Sequence, residues 1–240
     1  MKFNGYNYFH GTWVIVLLII FTCSCEYVSR DIVDYTGQID SVFDIDGNRY
    51  RTIGIGSQIW MGENLKVTRL SDGTKIEMFT EIIDWRNQKL NKPAYCWYEN
   101  DSANKNLYGG LYNFYAVETG LLCPSGWHVP GQPEWKILED YLGGHEIAGG
   151  KLKDYNGNLW TSPNRCYENS FNFNAVPGGR RISETGLFKS KGSLGCWWTT
   201  RLSKENEQRA IHIYVLNEYT TMTESSVFKN EGASVRCIKD

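Results

Sequence analysis

An α+β domain is the fold class that the sequence predicts, and three features carry the prediction. Trp135, Leu138 and Leu142 recur at i, i+3 and i+7 within Pro133–Leu142, which places them on one face of a helix. Ile211, Ile213 and Val215 alternate with His212 and Tyr214 in Ala210–Leu216, the period of a strand with two distinct faces. Long polar stretches separate such segments, with no repeat period and no low-complexity tract. Two short helices placed before antiparallel strands, joined by long irregular loops, are the expected layout.

The N-terminal segment differs in kind. Lys2 precedes the apolar run Trp13–Phe21, which falls short of the roughly 20 residues a spanning helix needs but suits the core of a signal peptide. The run ends in Thr22-Cys23-Ser24-Cys25, which resembles a bacterial lipoprotein signal. That resemblance implies cleavage before a cysteine that is then lipidated: Cys25, after the small Ser24, with Cys23 as the alternative. An ordinary secretory signal or an uncleaved anchor is the competing reading. Each buried methylene contributes ~0.8 kcal/mol, so several acyl chains tether a protein that one chain would not hold. The expected division is a signal peptide over 1–24, a lipidated cysteine and polar spacer over 25–42, and one globular domain over 43–240.

Within the domain, Val42–Ile45 and Asn48–Ile53 flank Asp46-Gly47, a hairpin signal because the turn needs positive φ. Gln58–Met61 adds a strand. Lys66–Asn106 reads as a long polar insertion around Tyr95-Cys96-Trp97-Tyr98, its tail rich in turn formers. The block 107–144 is the expected centre of the fold. A first helix is expected over Leu111–Val117, ending at Gly120. The second follows Gly131, with Pro133 in its first turn and Gly143-Gly144 as its stop. Gly149 to Asn164 reads as loop, Phe171–Val176 alternates before the turn Pro177-Gly178-Gly179, and Cys196–Thr200, Ala210–Leu216 and Ala233–Ile238 read as strands.

Several of these segments carry a resemblance. Tyr108-Gly109-Gly110-Leu111-Tyr112-Asn113-Phe114-Tyr115-Ala116-Val117, then Cys123-Pro124-Ser125-Gly126-Trp127-His128-Val129-Pro130 and Glu134-Trp135, resemble the Fibrobacter succinogenes major paralogous domain family. So do Gln58-Ile59-Trp60-Met61-Gly62-Glu63-Asn64-Leu65, Pro177-Gly178-Gly179-Arg180, Trp197-Trp198 and Ser234-Val235-Arg236-Cys237, in family order from about Phe43 onward. The resemblance implies a C-type-lectin-like domain, similar in layout to sulfatase-modifying factors, on a bacterial surface protein. It implies a fold and an address more than a reaction.

The seven cysteines need separate accounting, because an exported chain meets an oxidising environment. The lectin-like resemblance implies a disulfide between Cys123 and Cys237. Closing a loop of that length contributes ~4 kcal/mol in the chain-entropy model. The alternative is two buried free thiols. Of Cys96, Cys166 and Cys196, at least one stays unpaired within a monomer.

Motifs for catalysis or metal binding are lacking. Neither C-x₂-C nor H-E-x-x-H occurs, and His128, His145 and His212 are far apart, so no metal or cofactor is expected. Asp44-Ile45-Asp46-Gly47-Asn48 has its Gly too early for a calcium loop and no Glu at the twelfth place, so a hairpin turn explains it. Gln132-Pro133-Glu134 is similar to a lectin sugar-binding tripeptide, but it opens a helix here. No Gly-x-Ser-x-Gly elbow is present. A net charge of −2 without a basic run gives no reason to expect nucleic acid as a partner.

The aromatics divide by position. Trp60, Trp127, Trp135, Trp197 and Trp198 sit in the family motifs and are expected in the core. Trp85, Trp97, Tyr98 and Trp160 lie in loop-like segments and are the candidate ligand contacts, since exposed Trp and Tyr are enriched at recognition surfaces. The expected function is a lipoprotein of the outer membrane or cell surface, held to the membrane by its lipid. It would act without catalysis as a binding module for a glycan or a surface protein. An enzyme of the formylglycine-generating kind and a structural subunit of a surface or adhesin assembly are the alternatives.

Overall fold

The computed structural model describes residues 33–87, 91–154, 158–166 and 171–240. The chain divides into residues 1–31 and 32–240, and the described residues belong to the second unit. Cys23, Cys25 and the signal segment lie outside them.

Strands β1 (Ile39–Phe43) and β2 (Arg49–Ile55) form the expected hairpin, with Asp40 opposite Thr52 and Val42 opposite Tyr50. The Asp44 carboxylate fixes the turn: it accepts from the Asp46 and Asn48 N–H groups and from Tyr50 Oη at 2.6 Å. Asp46 is equally committed, accepting from Thr68 and Arg69. The expected spacer is shortened by this strand, which takes up Ile39–Val42. Just before it, Tyr35 N–H donates to the Gly56 carbonyl. Gly54 permits the approach, since a Cβ there would lie 1.7 Å from the Tyr35 carbonyl oxygen.

β3 (Gln58–Met61) continues the sheet. The presumed insertion then contains β4 (Glu77–Met78), α1 (Ile82–Asn87), β5 (Ala94–Cys96) and α2 (Lys105–Tyr108), elements too short to leave a period in the sequence. The expected helix over Leu111–Val117 is in fact a strand, β6 (Leu111–Tyr112), followed by α3 (Phe114–Glu118). Asn113 is the boundary: its Oδ1 accepts the Ala116 N–H at 3.1 Å, the N-cap role that asparagine favours.

After β7 (Trp127–His128), α4 (Gln132–Tyr141) forms as expected and buries Trp135 and Leu138, with Leu142 buried at its end. Glu134 Oε2 accepts the Gly131 N–H at 2.6 Å at its start, and Gly143 at φ +101° closes it. α5 (His145–Leu152) replaces the loop expected from Gly149 onward. Its glycines serve packing, because a Cβ on Gly149 would lie 2.2 Å from the Thr221 carbonyl oxygen. Tertiary contact here overrides poor helix propensity.

The last third holds β8 (Arg180–Arg181), β9 (Phe188–Lys189), β10 (Leu194–Leu202), β11 (Arg209–Leu216), β12 (Thr223–Phe228) and β13 (Ile238–Lys239). β10–β11–β12 form an antiparallel sheet, and β12 escapes sequence reading because Thr-Glu-Ser-Ser lacks an apolar face. The strand expected over Ala233–Ile238 is mostly a series of single bridges, Ala233 to Tyr112 and Ser234 to Trp197, that stitch two sheets together. Its end, β13, enters the five-stranded sheet β1-β2-β3-β13-β7, antiparallel throughout and curled as a half-barrel. Cys123 and Cys237 form the disulfide, clamping the segment after α3 to the approach of β13. Cys96, Cys166 and Cys196 are free.

Candidate functional site

The four aromatics expected at a ligand surface are interior, which corrects that expectation. Trp85 is 0 % exposed, Trp97 and Trp160 6 % and Tyr98 5 %. Each is held by a cation or a carbonyl: the Arg181 guanidinium lies 4.6 Å from the Trp85 ring, Lys105 Nζ 5.6 Å from Trp97, Lys191 Nζ 4.8 Å from Tyr98. Trp160 Nε1 donates to the Ala175 carbonyl at 3.0 Å. In a domain with short elements, loops must supply core side chains, so a loop position does not imply exposure. Of the five tryptophans expected inside, Trp60, Trp135, Trp197 and Trp198 are buried, whereas Trp127 is half-buried.

Residues of the recurring motifs build an internal polar hub. Asn64 Oδ1 accepts from Trp197 Nε1 at 2.8 Å and from Arg236 Nη2 at 2.7 Å. Arg236, fully buried, also donates to the Phe173 carbonyl and stacks 4.1 Å from the Phe173 ring. Burial pulls its pKa down to about 9. Lys153 is similar: its ammonium donates to the carbonyls of Arg165, Asn217 and Tyr219, and burial pulls its pKa down to about 8. These cations replace water by carbonyls and rings, and they brace loops.

The buried thiols are passive. Burial pushes Cys96 and Cys196 up to about 12, and burial takes His212, on the same sheet face as Cys196, down to about 3. Thiol and neutral imidazole are the forms at neutral pH.

Among the concave surfaces formed by the described residues, two are candidate binding sites. The first is a cleft of about 540 Å³ bounded by α4, the start of α5, and β11–β12. Pro133, Trp135, Ile213 and Met222 form its apolar floor, and Lys136, Glu139, His145 and Glu224 stand on its rim. Those rim charges are largely committed. Gln132 Nε2 donates to Glu224 Oε2 at 3.0 Å, Arg201 Nη2 lies 3.3 Å from Glu224 Oε1, and Lys136 pairs with Glu139 and Asp140.

The second surface lies on the five-stranded sheet. Register places Asp40, Thr52, Ile59, Lys239 and Trp127 on one face, opposite to Trp60 and Ile238, and they line a groove of about 140 Å³. A neighbouring cavity of about 420 Å³ shares Gln38, Ile59 and Lys239 and extends toward Glu134 and Asp240. At that end His128 is bracketed, Nδ1 at 2.6 Å from Asp240 Oδ1 and Nε2 at 2.6 Å from Glu134 Oε1. Burial opposes its charged form, but the hydrogen bonds that the ring donates to the two carboxylates outweigh burial and hold the imidazole above its usual range.

Sequence reasoning missed both surfaces. Trp127 and Trp135 were visible as aromatics, but Met222, Glu224, Asp40 and Lys239 carry no motif that could have singled them out. Among the described residues no cluster of His, Cys, Asp and Glu could hold a metal ion, and no helix is long and apolar enough to cross a membrane.

A family model described as the Fibrobacter succinogenes major domain matches residues 53–239. No curated protein and no solved structure matches the chain.

Proposed function

The chain belongs to the Fibrobacter succinogenes major domain family, and from that premise and the geometry above we propose that it is a non-catalytic binding module. In this reading the cleft between α4 and β12 receives an apolar side chain of a partner protein. The carrying observation is the combination of an apolar floor with rim charges already paired to one another. An incoming charged group would have to break those pairs, whereas an aliphatic or aromatic side chain gains burial without that cost. Within the α+β class we read the layout as C-type-lectin-like, supported by the disulfide between Cys123 and Cys237. The anchor belongs to the same proposal: export, lipidation at Cys25 or alternatively Cys23, and display at the outer membrane or cell surface, supported by the apolar run before those cysteines. The formylglycine-generating alternative draws no support from the buried thiols.

Selection of displayed random peptides on the chain tests the docking site. Enriched peptides are expected to share one bulky apolar residue and to lose binding to Thr223→Arg, which places a cation at the cleft without touching the core. Binding unchanged by Thr223→Arg would sink the assignment. Labelling with palmitate in cells, with and without Cys25→Ala, tests the anchor. A second reading, a subunit of a surface assembly, is favoured by one feature: β1 is an edge strand with Ile39 and Phe43 each 59 % exposed, a surface suited to strand addition. Light scattering would support it if Phe43→Lys abolished self-association.

A further inference from the structure

We propose that the groove across the five-stranded sheet is a second binding site, for a neutral oligosaccharide whose ring stacks on Trp127. The proposal rests on this surface alone and is independent of the cleft. Trp127 is the half-buried tryptophan: one part packs on the core beside Val42, and it also lines the groove. Around it every strand of the sheet delivers a side chain, and the polar ones are available. Gln38, Thr52, Trp127 and Lys239 make no side-chain hydrogen bond or ion pair among the described residues, and none has a sequestered polar atom. Asp40 spends only one oxygen, on the Ser41 N–H at 2.7 Å.

This set mixes an amide, a hydroxyl, a carboxylate and an ammonium, so donors and acceptors alternate around one aromatic surface. A sugar ring offers the complementary pattern, with hydroxyls that both donate and accept and a C–H face that packs on an indole. One carboxylate and one ammonium leave no net charge to select an anion or a cation, which favours a neutral ligand. The adjoining cavity, sharing Gln38, Ile59 and Lys239, supplies room for a second residue, and the two carboxylates at its far end, Glu134 and Asp240, are engaged by His128.

Titration of the full-length chain with neutral oligosaccharides drawn from a glycan array tests the assignment. Binding is expected, weakened roughly tenfold or more by Asp40→Ala and by Lys239→Ala, as for lost hydrogen bonds to charged groups. Both positions are exposed, so the fold should survive and melting should not change. Thr223→Arg should leave sugar binding intact. Absence of any neutral sugar ligand, an affinity of both groove variants equal to that of the parent, or loss on Thr223→Arg would each overturn the proposal, and only the last would move the sugar to the cleft.

Discussion

The cleft beside α4 and the groove across the five-stranded sheet are built around neighbouring tryptophans used in opposite ways. Trp135 is 1 % exposed and closes the core beneath the cleft, touching the ring of Trp60 at a centroid distance of 4.9 Å. Trp127 is half-buried and presents part of its ring to the groove. The polar groups differ as well. Those on the cleft rim are largely paired, leaving shape and apolar area to discriminate, whereas in the groove Gln38, Asp40 and Lys239 are exposed and only the Thr52 hydroxyl is mostly buried. A family motif therefore does not distinguish a residue that holds the fold from one that meets a ligand.

Stability measurements can break this contrast. Trp135→Ala should cost ~3–5 kcal/mol in urea unfolding, the range for a deleted buried tryptophan, and Trp127→Ala about half as much. Equal costs would mean that Trp127 is as interior as Trp135. Removing the disulfide by Cys123→Ser with Cys237→Ser should cost ~2–5 kcal/mol. Cys237 directly precedes β13, so sugar affinity at the groove should suffer more than peptide affinity at the cleft. Equal losses would show that the two surfaces are not mechanically separate.

His128 ties the groove to the start of α4, and pH should reveal it. Its folded pKa lies above the unfolded value of about 6.5, so its contribution is complete below that value and is lost as pH rises through the folded pKa. The stability gap between the parent and His128→Ala should accordingly be widest in acid and narrow toward alkaline pH. A gap constant with pH would remove the ionic account of the His128 contacts. The smallest effect is expected for Glu224→Ala, within about 0.5 kcal/mol in stability and about threefold in peptide affinity, because its partners Gln132 and Arg201 are solvated.

Periodicity made α4 and β11 legible, and Asp46-Gly47 gave the first hairpin, because in each case local chemistry and tertiary role agree. α5 was hidden because Gly149 is selected by the Thr221 backbone pressing on it, a contact no local rule contains. β12 was hidden because an edge strand with Thr, Glu and Ser needs no apolar face. The aromatics divided badly for a related reason: Trp85 lies in α1 and Tyr98 in a single turn after β5, elements too short to show a buried face, but Arg181 and Lys191 pack on their rings in the interior. The cleft and the groove join residues distant in sequence, such as Pro133 with Met222 and Asp40 with Lys239, so neither site could be read before the chain was folded.

Hydrogen exchange on the chain with and without a selected apolar peptide tests the docking role most directly. Slowed exchange confined to Gln132–Glu139 and Met222–Glu224 is the predicted result. Protection falling instead on residues 77–106, with those two segments unchanged, would contradict it.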